Sequence, residues 1–125
     1  MEQKTRILLI DDETDYSDTM GFYLKAKGYR VRTAQSGQEG IEEIEREKPD
    51  IVFLDFMMPI MNGAETLKKI REAHTDLPVI MVTSYASEKL IDEATGLGIT
   101  AIFPKAEDFS IAARLIQEAL ETVRN

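Results

Sequence analysis

Four short apolar runs punctuate the chain, and each is followed within two residues by a polar side chain. Ile7-Leu8-Leu9-Ile10 runs into Asp11-Asp12, Ile51-Val52-Phe53-Leu54 into Asp55, Val79-Ile80-Met81-Val82 into Thr83-Ser84, and Ala101-Ile102-Phe103 into Pro104-Lys105. Runs this short, rich in β-branched residues and bounded by turn formers, predict buried strands. A weaker run, Arg30-Val31-Arg32-Thr33-Ala34, carries basic residues at positions expected to be exposed, which suits an edge strand. Between the runs the apolar period changes to that of a helix. Tyr16, Met20, Tyr23 and Leu24 share one face, closed by the aliphatic stem of Lys27 and ended at Gly28. Ser36-Gly37-Gln38-Glu39 resembles a capping box for a helix burying Ile41 and Ile44. Residues 63–74 place Ala64, Leu67, Ile70 and Ala73 on one side, and Ser87 caps a helix with Leu90, Ile91 and Ala94. Asp108 or Ser110 opens a last helix through Ala112, Leu115, Ile116, Ala119, Leu120 and Val123. Strand and helix alternating five times predict an α/β fold, a parallel sheet covered on both faces. Ligands bind such sheets at the carboxyl ends of the strands. Three acids, a hydroxyl and a lysine are expected to meet there.

Composition adds bounds. A chain of 125 residues with 43% hydrophobic and 30% charged content is expected to form one domain, residues 1–125, with a real core. There is no cysteine, hence no disulfide and no thiolate metal site, which fits a reducing compartment. The first apolar run is too short for a secretion signal, and no run approaches a membrane span, so the expectation is a cytoplasmic protein with no membrane association. A formal charge of −8 argues against this domain gripping nucleic acid through its phosphates.

Taken singly, each polar residue has an ordinary structural reading. Acids before a helix are stabilised by its dipole. Thr83 reads as a strand-end hydroxyl, Lys105 as a solvated loop charge, Met57 and Met58 as core fillers, and His74 as a cap or surface residue. Lys68-Lys69 and Glu42-Glu43-Glu45 read as solvated helix faces. The combination is more specific. Asp11-Asp12, Asp55 with Met57-Met58-Pro59 and Asn62-Gly63, Thr83-Ser84 and Pro104-Lys105, each at a strand end and in this order, resemble the receiver domain of two-component response regulators over nearly the whole chain. The resemblance implies a doubly wound five-stranded parallel sheet of order 2-1-3-4-5 with five helices on its two faces. The crevice between the first and third strands is then the switch point.

Crowded carboxylates repel, and a hard divalent cation relieves the conflict. The resemblance implies Mg²⁺ or Mn²⁺ held by Asp12 and Asp55, by Asp11 largely through water, and by the backbone carbonyl of Met57. It makes Asp55 the phosphoacceptor, with Thr83 and Lys105 each meeting a phosphoryl oxygen. The donor would be a histidine kinase or histidine phosphotransfer protein. Phosphorylation would change the surface of the fourth and fifth helices, and the family allows a phosphorylation-dependent dimer through the fourth helix, fifth strand and fifth helix. An aspartyl-phosphate-type phosphatase fits less well, because Asp11 and Asp12 are adjacent and no capping insertion is present. A flavin site fits poorly, because the loop after the first strand is acidic. A binding module that keeps the fold without being phosphorylated remains the main alternative.

Two positions depart from the family pattern. Three before the lysine, where the family carries Tyr or Phe, stands Ile102, with the aromatic one residue later at Phe103 on the opposite face. Ala106 follows the lysine where Pro is usual. Met57 and Tyr85 occupy the positions that flank the attacking water in the family. Met57 is a poor partner for a water, and Tyr85 is expected to cover the site and slow hydrolysis.

Overall fold

The computed structural model describes residues 4–124, without the side chains of residues 123 and 124. Residues 1–3 and the expected burial of Val123 lie outside what is described. The elements alternate as expected: β1 (Arg6–Ile10), α1 (Thr14–Ala26), β2 (Arg30–Ala34), α2 (Gly37–Arg46), β3 (Ile51–Asp55), α3 (Gly63–Ala73), β4 (Val79–Thr83), α4 (Glu88–Gly96), β5 (Ala101–Pro104) and α5 (Phe109–Arg124). All neighbouring strands pair in parallel, in the order β2-β1-β3-β4-β5. β3 and β4 are buried along their whole length, whereas β2 forms an edge.

Alternate side chains of each strand feed two cores. Leu8, Ile10, Val52, Leu54, Val79 and Met81 pack with Ile44 of α2, Leu67 and Ile70 of α3 and Ala94 of α4. Ile7, Leu9, Phe53, Ile80, Val82 and Phe103 pack with Met20 and Leu24 of α1 and with Ala112, Ile116 and Ala119 of α5. Fully burying each large aliphatic or aromatic side chain contributes ~1.5–3 kcal/mol before chain entropy is counted. Ile102 joins the first core and Phe103 the second, as strand alternation requires.

Register brings the polar strand ends together. Ile10 pairs with Leu54, so Asp11 and Asp55 follow on adjacent strands. Asp55 pairs with Val82, one residue short of Thr83, and Thr83 pairs with Pro104, one short of Lys105. Chain order reverses beside β1, which has β2 on one side and β3 on the other, so the crevice between β1 and β3 is the switch point of the sheet.

Some local expectations are corrected. The Ser36 hydroxyl accepts from the Glu39 amide, but the Glu39 carboxylate takes the Gln35 amide, leaving half a capping box. The complete box is at Asn62 and Glu65. Arg32 and Glu43 are half-buried rather than solvated: the guanidinium binds the Glu43 carboxylate at 2.9 Å, tying the edge strand to α2. Ala73, the last residue of α3, is exposed rather than packed.

Candidate functional site

The loop after β1 begins with Asp11, buried and fixed twice. Its amide donates to the Ala34 carbonyl, extending the ladder to β2, and its Oδ1 accepts the Glu13 amide at 2.8 Å. Glu13 is the N-cap of α1, yet its side chain caps nothing. Its carboxylate reaches across to Lys105 instead.

The loop after β3 is longer and is closed by two hydrogen bonds. The Met57 amide donates to Asp55 Oδ1 at 2.9 Å, and the Gly63 amide returns to the Phe56 carbonyl at 3.3 Å. A Cβ on Gly63 would stand 2.4 Å from the Phe56 Cα, a clash that only a main-chain shift would relieve. Between them Ile60 holds φ at +67° with its side chain fully exposed. A β-branched residue in the left-handed region is strained by ~1–2 kcal/mol.

The acids converge as the register demands. Carboxylate oxygens of Asp11, Asp12 and Asp55 lie within 4.8 Å of one another. Lys105 Nζ is 3.0 Å from Asp11 and 3.3 Å from Asp55, and also bonds Glu13. Asp55 is only 2% exposed. Burial is the main cause that lifts its pKa to about 7; the Met57 hydrogen bond opposes this, Asp11 adds to it and Lys105 offsets part. Desolvation thus outweighs the charge repulsion expected from sequence. Burial alone would lower the Lys105 pKa. Hydrogen bonds to Glu13 and Asp11 and the charges of Asp55 and Asp11 overcome that and raise it, so the ammonium stays charged.

This donor set fits a hard dication. It is all oxygen, carries more negative charge than one lysine balances, and holds a buried acid that resists ionising. The three carboxylates, with ligand atoms within 4.8 Å of one another, are near enough to share one such ion.

On the strand next to Asp55, Thr83 is buried, but its hydroxyl is turned into its own loop. It donates to the Tyr85 carbonyl at 2.8 Å and accepts the Tyr85 amide at 3.1 Å. Ser84 and Ala86 are exposed, and the Tyr85 ring, expected to cover the site, is 73% exposed. Met58 is a core residue and Met57 is exposed, so the filler reading holds for one of the two. His74 is the C-cap residue of α3, its carbonyl bonded by Arg71, far in sequence and in role from the acids.

Two residues at the site were not singled out for it in the sequence. Glu13 follows the double acid directly, a signal that capping logic obscures. Tyr16 falls on the helical face read as core, but its ring lies against Lys105, with the ammonium 4.8 Å from the ring centre.

Comparison with known proteins places this geometry. Residues 7–120 match the family model described as the response regulator receiver domain. The chain is 34% identical over 115 residues to the transcriptional regulatory protein GlrR of Escherichia coli K12, covering 92% of this chain and 26% of that protein. It therefore spans about a quarter of the curated relative's length. Among solved structures it resembles a CheY-like receiver domain protein from Methanospirillum hungatei JF-1, with a TM-score of 0.92, 31% identity and 96% coverage of both chains. It also resembles the receiver domain of NtrX from Brucella abortus, with a TM-score of 0.88, 28% identity and coverage of 93% of this chain and 98% of that one.

Proposed function

This chain belongs to the response regulator receiver domain family, and from that premise we propose that it is a signalling switch whose Asp55 accepts a phosphoryl group. The observation that carries the reading is the convergence of Asp11, Asp12, Asp55 and Lys105 on one end of the sheet. A carboxylate oxygen of Asp55 attacks the phosphorus of a phosphohistidine on a histidine kinase or phosphotransfer protein. The new O–P bond forms as the P–N bond breaks, and the imidazole leaves with the electron pair. Asp11, Asp12, Asp55 and the Met57 carbonyl would hold Mg²⁺ or Mn²⁺, which supplies charge neutralisation and orientation for the incoming group. Lys105 keeps a positive charge beside Asp55 and pairs with a phosphoryl oxygen. Thr83 gives up its bond to the Tyr85 carbonyl and donates to another.

That exchange couples the site to the loop before α4. Thr83 holds Tyr85 by two hydrogen bonds, so turning its hydroxyl toward the phosphoryl group releases the loop and shifts α4. Ile102 carries no polar tip and has a stiff χ1, which leaves the Tyr85 loop as the reporter in place of a switch aromatic. The altered surface comprises α4, β5 and α5, the face expected for a phosphorylation-dependent dimer. Among the described residues no helix is long and apolar enough to cross a membrane, in keeping with work in the cytoplasm.

Mass measurement after incubation with acetyl phosphate tests the reading. The expected result is a reversible, Mg²⁺-dependent gain of one phosphoryl group in the wild type and none in Asp55→Asn. No gain in the wild type would leave a binding module that keeps the fold without the chemistry.

A further inference from the structure

Lys105 is held by more than carboxylates. Its ammonium lies over the ring of Tyr16, 4.8 Å from the centroid. That ring is itself fixed. Phe109 meets it edge-on at 5.8 Å and 68°, and Tyr23 tilts against the same Phe109 at 5.7 Å. Phe109 opens α5, so the segment from Lys105 to Phe109 is pinned against Tyr16 at both ends. The Tyr16 hydroxyl is enclosed and has no hydrogen-bond partner among the described residues. The charges of Lys105, Asp11, Asp55 and Glu13 all act on it, so the polar end of the ring lies within the field of the acid cluster. The hydroxyl makes no bond, so what Tyr16 offers the ammonium is its ring face, which phenylalanine would present equally.

The site sets a problem that this ring solves. A dication and the Lys105 ammonium draw on the same carboxylates of Asp11 and Asp55. A dication bound there removes most of the attraction that holds the lysine and adds a like charge beside it. Glu13 is exposed, so its grip on the ammonium is screened by solvent. An aromatic face attracts an ammonium through its quadrupole but offers no oxygen to a hard dication. It is therefore a hold that the dication does not compete for.

We propose that Tyr16 is a positioning residue for phosphoryl transfer to Asp55: its ring keeps the Lys105 ammonium at the edge of the acid cluster while the carboxylates are engaged by a cation. This rests on the reading of Asp55 as the acceptor. The ring touches neither the phosphoryl donor nor the reacting oxygen, and acts through the lysine alone.

The test uses the wild type, Tyr16→Phe and Tyr16→Leu, with two readouts. One is the ring-current shift of the Lys105 ε-methylene protons, measured by NMR without phosphodonor and at saturating Mg²⁺. The other is the initial rate of phosphorylation by acetyl phosphate. The expected result is an upfield ε-methylene signal that survives Mg²⁺ in the wild type and in Tyr16→Phe. In Tyr16→Leu that signal is lost and the rate falls about fivefold, and Tyr16→Phe restores the rate to within about twofold of wild type. The proposal is overturned if Tyr16→Leu keeps the wild-type rate, if Mg²⁺ abolishes the upfield shift in the wild type, or if Tyr16→Phe is as slow as Tyr16→Leu, which would assign the effect to the hydroxyl. A wild type that takes up no phosphoryl group defeats the acceptor reading instead, while the ε-methylene signal still decides whether the ring holds the lysine. Should Tyr16→Leu not fold, Tyr16→Phe and the wild-type Mg²⁺ titration remain decisive.

Discussion

Two sets of strand ends along the binding edge are built on opposite principles. At the ends of β1, β3 and β5, Asp11, Glu13, Asp55 and the Tyr16 ring all meet Lys105, which reaches them from beyond β4. At the end of β4, which lies between β3 and β5, the Thr83 hydroxyl is hydrogen-bonded only to Tyr85, two residues along its own chain, while its carbonyl accepts the Lys105 amide at 2.9 Å; Ser84, Tyr85 and Ala86 are exposed. The first end is preassembled by long-range electrostatics and the second by a local turn. A switch needs two states that its ligand binds differently. On the proposed reading, the charged strand ends would supply the ligand's binding energy and the Tyr85 loop an element that moves at small cost.

Metal titration gives the largest expected separation between the two ends. Mg²⁺ that binds only the folded acid cluster stabilises the protein by ~2.7 kcal/mol at a hundredfold excess over its dissociation constant. A melting temperature that rises with Mg²⁺, with amide shifts at residues 11–13 and 55–57 and little change at 84–87, is the expected outcome. An unmoved melting temperature together with no heat of binding contradicts the charged-end account.

Asp55→Asn comes next. The Asp55 pKa is raised from 3.8 to about 7 in the folded protein. The native state therefore holds that proton more tightly than the unfolded chain. Its contribution to stability is complete below pH 4 and is lost as pH rises through about 7. Without Mg²⁺, Asp55→Asn is expected to be more stable than wild type at pH 8, by on the order of 2 kcal/mol, with the difference shrinking toward pH 4. Denaturant midpoints at the two pH values check this, and an equal difference at both refutes the assignment to Asp55.

Thr83→Val is the smaller, complementary change. It removes both hydrogen bonds to Tyr85 and costs about 1 kcal/mol. Faster amide exchange at residues 84–87 with unchanged Mg²⁺ affinity is expected, and a weakened Mg²⁺ affinity would show that the two ends are not separate in the resting state.

The smallest effect concerns lifetime. Met57→Asn adds a side chain that holds a water and is expected to speed loss of the phosphoryl group several-fold. Because the Tyr85 ring stands in solvent, Tyr85→Ala is expected to change that lifetime by less than about twofold. Phosphate release from purified phosphoprotein measures both, and a large Tyr85→Ala effect would revive the shielding role.

The contrast also explains what the sequence made legible. Strand ends are visible because an apolar run must stop, and Asp11, Asp55, Thr83 and Lys105 each mark a stop. The strand order followed from the resemblance, since periodicity says nothing of which strands neighbour one another. Glu13 and Tyr16 were not visible as site residues because their partner Lys105 lies about ninety positions away in the chain, and helix periodicity assigns both to capping or core. Tyr85 was misread for a related reason. Sequence gives its proximity to Thr83 but not that its backbone, rather than its ring, makes the contact. The complete capping box at Asn62 was hidden beneath a motif that already had a functional reading.

The most direct test of the division between the two ends is amide chemical-shift mapping on adding a beryllofluoride mimic of the phosphoryl group. Large changes are predicted at residues 83–95 and around Lys105, with small ones at Ile102. If the largest changes remote from the acids fall instead on α2, with residues 84–95 unmoved, the β4 end is not the moving element and the account is wrong.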